Sequence, residues 1–308
     1  MAATAGDKPL AHPPPATAES PWRRFAAEFL ESRLAIAGLA MLALVIVIAL
    51  TAPYISPQNP YDLAQLDVMD SKLAPGERSS ATGKPHWLGT DDQGRDMLSG
   101  IFYGLRISLA VGLASTLCAL VIGLTLGLAA AYFGGWTDAV IMRIADIQLS
   151  FPAILIALIL LAVLGQGVDK IIVALVTVQW AYYARTVRSS ALVERQKEYV
   201  EAARVLALSQ PRIVFRHLLP NCLPPLIVVA TVQVAHAISL EATLSFLGLG
   251  LPITEPSLGL LISNGFQYLL SGKYWISFYP GLALLLTIVA INLVADQLRD
   301  VLNPRLKR

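Results

Sequence analysis

Few side chains in this sequence could do chemistry, and their spacing excludes most reactions. There is no G-x-x-x-x-G-K-[ST] run, so no glycine-rich loop of that kind can cradle a nucleotide's phosphates. Cys118 and Cys222 stand far apart in apolar sequence and match no metal-ligand spacing, which suits packing rather than a disulfide or a metal site. No nucleophile and base stand in a recognisable relation. The chain is therefore not read as an enzyme, and no catalytic residue, metal or cofactor is assigned to it.

Three groups of polar residues remain. Glu241 and His236 lie in an apolar run. A carboxylate at mid-membrane costs ~2.5–3.5 kcal/mol or more, so Glu241 reads either as a substrate or ion site or as a structural group bonded to a helix end. The structural role is preferred, because the residue falls in the outer half of its run. His236 reads as a pore or packing residue rather than a ligand. In "GTDDQGRDMLSG" (89–100) the acids and Arg95 read either as a metal or anion site or as a solvated, glycine-punctuated turn whose Asp caps a short interfacial helix. The turn is preferred, and contact with a substrate-delivering protein or outer gating is the other reading.

The third group is "EYVEAARVLALSQPRIVFRHLLPN" (198–221), a charged cassette between apolar runs. Tyr199, Ala202, Ala203 and Leu206 recur at i, i+3, i+4 and i+7, one face of a helix. Glu201 and Arg204 stand at i, i+3 on another face, a pair worth only ~0.2–0.5 kcal/mol. Ser209 reads as an N-cap before Pro211, opening a second short helix that ends at Pro220. The cassette either lies on lipid headgroups or docks a cytosolic partner. An inter-span loop of this length with its own secondary structure favours docking.

These groups are positioned by membrane-spanning elements. The 308 residues are 56% hydrophobic and 14% charged, against about 25% charged in ordinary soluble domains; the net charge of +2 gives no reason to expect nucleic acid. Leu34 to Ala52 carries no charge and covers roughly the 30 Å hydrocarbon core. It is longer than the usual h-region of a cleaved signal. Five further spans are predicted at 106–132, 140–164, 169–187, 222–247 and 278–297, giving six. Pro152 is expected to kink the third and to leave the carbonyl of Gln148 without its usual partner. Residues 1–20 read as a disordered cytoplasmic tail, 21–55 as an amphipathic lead-in with the first span, 56–105 as an extracytoplasmic loop, and 106–308 as a core of five spans with the polar loop at about 188–220. Most Lys and Arg residues then fall on one side. They include Arg185, Arg188, Arg195, Lys197, Arg204, Arg212 and Arg216, which places both termini and the cassette in the cytoplasm.

The cassette resembles the EAA loop of bacterial ABC importer permeases: Glu201, Ala202, Ala203 and Leu219-Pro220 match, while Ala207 stands where the family has Gly. "HWLGTDDQGRDMLSGIFYGLRISLAVG", "WAYYARTVRSSALVERQKEYVEAAR", "LEATLSFLGLGLP" and the C-terminal "FYPGLALLLTIVAINLVADQLRDVLNPRLKR" are similar to the C-type subunit of dipeptide, oligopeptide and nickel permeases, with Leu258 where Trp is common.

The resemblance implies an all-α membrane protein of type I ABC importer permease architecture. The cassette would be its coupling helix, with Tyr199, Glu201, Ala202, Ala203, Arg204, Leu206, Ala207 and Arg212 facing the ATPase. A homologous permease would complete a heterodimeric pore in the bacterial inner membrane. Two ATP-binding subunits would hold ATP and Mg, and an extracytoplasmic solute-binding protein would deliver di- or oligopeptides. A nickel chelate, glutathione or an opine is the alternative cargo. An ion-coupled secondary transporter working through Glu241 or His236 is the rival from another class. Replacing Gly by Ala at position 207 implies either a differently closed turn or an altered docking angle, since an alanine at positive φ costs roughly 1–2 kcal/mol.

Overall fold

The computed structural model describes residues 21–302 apart from 81 and 253. The predicted tail, and the terminal Arg305, Lys307 and Arg308, lie outside the described residues. The described fold is helical: α1 (Pro21–Leu30), α2 (Arg33–Ile55), α3 (Met97–Phe133), α4 (Gly135–Leu149), α5 (Ala153–Leu164), α6 (Val168–Arg195), α7 (Glu198–Val205), α8 (Gln210–Arg212), α9 (Leu219–Phe246), α10 (Leu258–Phe266) and α11 (Trp275–Leu302).

Four of these helical stretches are long and apolar enough to cross a membrane: Arg33–Ile55, Met97–Phe133, Gln210–Phe246 and Trp275–Leu302. The run 140–164 is not one straight span. It is α4 and α5, bent by 91° at Ser150–Pro152, and it counts as a fifth crossing if the pair is taken as one. Pro152 cannot continue α4, and the Gln148 carbonyl instead accepts the Phe151 N–H at 3.2 Å. The bend is latched to α6: the Gln148 side-chain amide donates to the carbonyls of Thr177 and, at 3.1 Å, Val178, while Trp180 Nε1 donates to Gln148 Oε1 at 2.6 Å. α6 is long enough for a span, but Gln179, Arg185 and Arg188 keep it below the apolar character of the others. Its Arg188 pairs with Asp138, and its Arg185 with Asp146, both on α4.

α3 is the spine. It begins before the predicted span, at Met97, because Asp96 caps it: the carboxylate accepts the Ser99 N–H and hydroxyl at 2.9 and 2.8 Å. The Asp thus caps the long helix itself; among the described residues only two short 3-10 turns, Leu63–Gln65 and Val68–Asp70, lie between α2 and it. Gly123 and Gly127 let α6 come into backbone contact. A Cβ on Gly123 would lie 2.5 Å from the Trp180 carbonyl oxygen and from Tyr183 Cβ, and one on Gly127 would lie 2.6 Å from the Ala184 oxygen. Higher up, Gly112 admits Ile238 of α9. α10, which the sequence pattern does not announce, packs between α9 and α11.

At the α2–α3 end, residues 56–96 fold into a knot of short turns rather than a solvated loop. Asp91, Arg95 and Asp96 are buried. Asp70 accepts the N–H and the hydroxyl of Ser80, each at 2.7 Å, and Asp91 accepts the N–H groups of Gln93 and Arg95, each at 2.8 Å. His86 Nδ1 and Asp96 Oδ1 lie 2.9 Å apart. Gly94 (φ 77°) is required there, since a Cβ would meet the Asp67 carbonyl oxygen at 2.1 Å. Trp275 Nε1 fastens the knot to α11 through the Thr90 carbonyl at 3.3 Å.

Burial pushes the Asp91 carboxyl up to about 6, against the downward pull of its backbone donors and Arg95. Its folded pKa exceeds its unfolded value, so the fold is favoured by protonation and loses stability as pH rises from about 4 to about 6. Asp91→Asn keeps the acceptor and is expected to flatten that slope, raising stability at pH 7 by up to ~3 kcal/mol; thermal unfolding in detergent across this pH range measures it. Gly123→Val is expected to lower stability by about 1–3 kcal/mol or more through overpacking against α6, read as a drop in Tm, whereas Leu113→Val on the exposed face of α3 leaves Tm unchanged.

Candidate functional site

At the end of the bundle opposite the knot, the chain leaves α6, turns through α7 and re-enters through α8 and α9. α7 is short, and its N-cap Lys197 forms no side-chain capping bond, so tertiary contacts hold it. Val200 and Ala203 are buried with Ile213 and Leu218, and Tyr132, Leu208 and Val214 pack around them. The predicted stripe is divided by this arrangement. Ala203 faces inward, Tyr199 is at the margin, and Ala202 and Leu206 face outward, because only Val200 and Ala203 lie over the α9 entry. Glu201, Ala202, Arg204, Ala207 and Arg212 are exposed. Among the described residues Glu201 and Arg204 form no ion pair; an exposed i, i+3 pair gains too little to hold two long side chains in one geometry.

Ala207 answers the question posed by the missing glycine. It takes the left-handed conformation itself, φ 51°, so the turn need not be closed differently. The Leu208 N–H donates to the Ala203 carbonyl at 3.1 Å and the Ala207 N–H to the Arg204 carbonyl at 2.9 Å. This is the hydrogen-bond pattern of a Schellman cap, with Leu208 packed back against the Val200–Ala203 cluster. The apolar contact and two carbonyl partners offset the ~1–2 kcal/mol that alanine loses there.

The second short helix is continuous with the following span. α8 passes through a π-helical turn, Ile213–Leu218, directly into α9. Pro220 has no N–H to donate, and the turn widens so that Leu219 donates to Val214. The Asn221 side chain donates to the His217 carbonyl at 2.8 Å. Ser209 opens the element without a side-chain capping bond.

A polar network joins the three strands of chain. Tyr199 donates to Glu194 Oε2 at 2.6 Å, Asn221 donates to the Tyr199 hydroxyl at 3.1 Å, and Lys197 pairs with Glu194 at 2.6 Å. Burial, followed by the neighbouring Glu194 carboxylate, pushes the Tyr199 phenol up to about 12, so it stays a donor. Arg195 donates to the Ala131 carbonyl at 2.8 Å, in the last turn of α3. The roles of Arg195 and Asn221 are not marked in the sequence pattern, since Ala131 and Tyr199 lie 64 and 22 residues away, and Glu194 bonds its near neighbours Lys197 and Tyr199 only once the chain turns into α7. The adjacency of three polar residues to an apolar run is the only signal.

Glu241 and His236 are not brought together. Glu241 is fully buried, and accepts from Ser108 of α3 at 3.0 Å and from Ser245 at 2.8 Å. Ser257, the N-cap of α10, also hydrogen-bonds it. His236 is exposed on the other side of α9, in a cavity of about 270 Å³ with Gln179, Tyr182, Gln233 and Ser239. One carboxylate tied to three hydroxyls braces α3, α9 and α10; the other group faces open space.

Comparison with known proteins gives this geometry a context. Residues 20–75 match the N-terminal TM domain of oligopeptide transport permease C. The dipeptide transport system permease protein DppC of Escherichia coli strain K12 is 40% identical over 308 residues, covering 100% of both chains. The glutathione transport system permease protein GsiD of Pectobacterium atrosepticum is 38% identical over 288 residues, covering 94% of this chain and 92% of its own. Among solved structures, a chain of the inward-facing MetNI methionine ABC transporter superposes with a TM-score of 0.54 at 24% identity, over 67% of this chain and 98% of that one, a likeness of fold. Residues 123–308, which contain α4 to α11 and the whole α6–α9 turn, match the binding-protein-dependent transport system inner membrane component family, and the chain belongs to that family.

Proposed function

We propose that this chain is the permease subunit of an ATP-driven importer of di- and oligopeptides. It supplies half of the pore and takes its driving force through α7. The observation that carries the reading is the shape of the α6–α9 turn. The braced short helix and the π turn after it expose Val205 and Leu206 at 85% and 73%, and Phe215 at 65%, respectively. Exposed apolar side chains ringed by Glu201, Arg204 and Arg212 are the composition of a protein contact. They are fastened from behind to both α6 and α9, so a push on α7 reaches two long helices at once.

In this reading α6 and the α4–α5 pair each cross the membrane, giving six crossings, with both termini and α7 cytoplasmic as the charge bias requires. A homologous permease faces this one across the pore, two ATP-binding subunits seat α7, and an extracytoplasmic binding protein meets the 56–96 knot. ATP and Mg belong to the partner subunits. ATPase closure displaces α7, and α6 and α9 carry the displacement into the pore. Dipeptides are the cargo favoured by the near-complete match to the dipeptide permease; the similar glutathione permease makes glutathione the competitor to assay beside them. An ion-coupled transporter working through Glu241 is disfavoured by the sealing of that carboxylate among hydroxyls.

Uptake of a labelled dipeptide by cells expressing the complete system is expected to stop when ATP hydrolysis is blocked and to survive an ionophore; the reverse pattern overturns the reading. Glu201→Arg with Leu206→Asp is expected to cut uptake about tenfold or more and to lose co-purifying ATPase, while the protein reaches the membrane with unchanged Tm. Ala207→Gly relieves the left-handed strain and preserves uptake. Ala207→Val, a β-branched residue at positive φ, is expected to destabilise the turn by more than ~1 kcal/mol, read as faster amide exchange across 203–208 and reduced uptake.

A further inference from the structure

The family match says nothing about which of this chain's surfaces the cargo touches. Two cavities open along one seam, between α6 and α9. The first holds His236, Tyr182, Gln179 and Gln233. The second, of about 740 Å³, lies at the α7 end and is lined by Ser189, Val193, Asn221 and Pro225, with Glu194 and Arg299 at its rim. Helical geometry makes them one lane. On α9, Asn221, Pro225, Val228, Val232, His236 and Ser239 fall within about 80° of arc at 100° per residue. On α6, Gln179, Tyr182, Thr186, Ser189 and Val193 do the same. None of the α9 group, Asn221 through Ser239, is buried, and Tyr182 and Val193 are 44% and 62% exposed.

Lipid does not suit this seam. The free face of α3 presents Leu113, Leu117 and Val121, as a lipid-facing surface should, whereas polar side chains turned to hydrocarbon lose their hydrogen bonds to water and gain none. At the outer end of the lane one amide is poorly satisfied. Gln179, only 3% exposed, accepts from Thr116 at 3.4 Å and donates to the Gln233 carbonyl at 3.5 Å, both at the limit of a hydrogen bond. A buried amide held this loosely gains by re-pairing with a better partner.

We propose that the α6–α9 seam is this subunit's wall of the cargo route, and that Gln179, Gln233 and His236 form a subsite in it for the peptide group of the cargo. A neutral wall of donors and acceptors pairs with backbone N–H and C=O groups and is indifferent to the sign of the cargo's side chains. The only charged residues lining the two cavities, among those described, are Glu194 and Arg299 at the α7 mouth. The subsite therefore takes small peptides as a class and leaves finer choice to whatever delivers them. This inference rests on the importer reading and deepens it.

The test uses the assembled importer in proteoliposomes, with Cys118→Ser and Cys222→Ala as background and single cysteines at Ser239, Ser189 and, as the lipid-facing control, Leu117. A membrane-impermeant cationic thiol reagent is expected to modify Ser239→Cys and Ser189→Cys at least tenfold faster than Leu117→Cys, and saturating dipeptide is expected to slow modification of Ser239→Cys. Adding Gln179→Leu should raise the dipeptide concentration needed for that protection about tenfold, the loss of one hydrogen bond to the cargo. A purely structural Gln179 would not move that constant. Equal modification rates at the three positions, or rapid modification that dipeptide never slows, overturn the subsite. Disulfide formation between Ser239→Cys and the companion permease with no protection marks the seam as a packing surface and overturns it too. If the unaltered chain neither recruits ATPase nor supports uptake, the importer reading fails; if it does both and the lane cysteines behave as Leu117→Cys, only this inference fails.

Discussion

The close approach of α3 and α6 sets the position of nearly every functional group. Two glycines on one face of α3 bring the α6 backbone to within a Cβ radius of contact, and dispersion over that length replaces the hydrophobic drive that lipid does not supply between helices. Because α6 cannot slide past α3 without driving Tyr183 and Val187 off Gly123 and Gly127 and into bulkier neighbours, the ends of the two helices stay in register. Arg195 then reaches the carbonyls at the end of α3, and Tyr132 reaches the cluster beneath α7. α7 is therefore held from beneath by the spine.

Satisfaction of polar groups decides what happens to each break in the helices. The kink at Pro152 is latched by Gln148 and Trp180, the π turn before Pro220 is covered by Asn221, and Glu241 is sealed by Ser108, Ser245 and the cap of α10. The Gln148–Trp180 and Ser108–Glu241 bonds run between different helices, so those two also tie elements together. The seam between α6 and α9 is the contrasting case. There the buried Gln179 amide is held only at the edge of hydrogen-bonding distance, beside the open cavity that holds His236.

The α7 turn shows how the two principles meet. Ala207 holds a conformation that glycine adopts more cheaply, and it does so because Leu208 and the Arg204 and Ala203 carbonyls are all served by that one backbone angle. Alanine at this position closes the left-handed turn at a cost in strain. The outward surface of the turn is consequently preserved, with Leu206 and Val205 displayed rather than buried.

Much of this architecture was legible in the residues. Apolar runs long enough to cross hydrocarbon located α2, α3, α9 and α11, and the polar cassette before one of them stood out by composition. These are local properties, carried by consecutive side chains, and periodicity reads them directly. The boundaries and partnerships were not legible. α3 starts at Met97 because Asp96 is placed to cap it, α4 and α5 part by 91° because Gln148 has α6 to grip, and α10 forms because Glu241 and its neighbours await the Ser257 cap. The side of α7 that turns inward was not legible in its stripe, since Val200 and Ala203 are chosen by what lies beneath them. Sequence alone determined that the chain lives in a membrane and presents one charged turn. Only the tertiary structure decided which side of each helix is spent on packing and which is left free, because that choice is made by contacts between residues far apart in the chain.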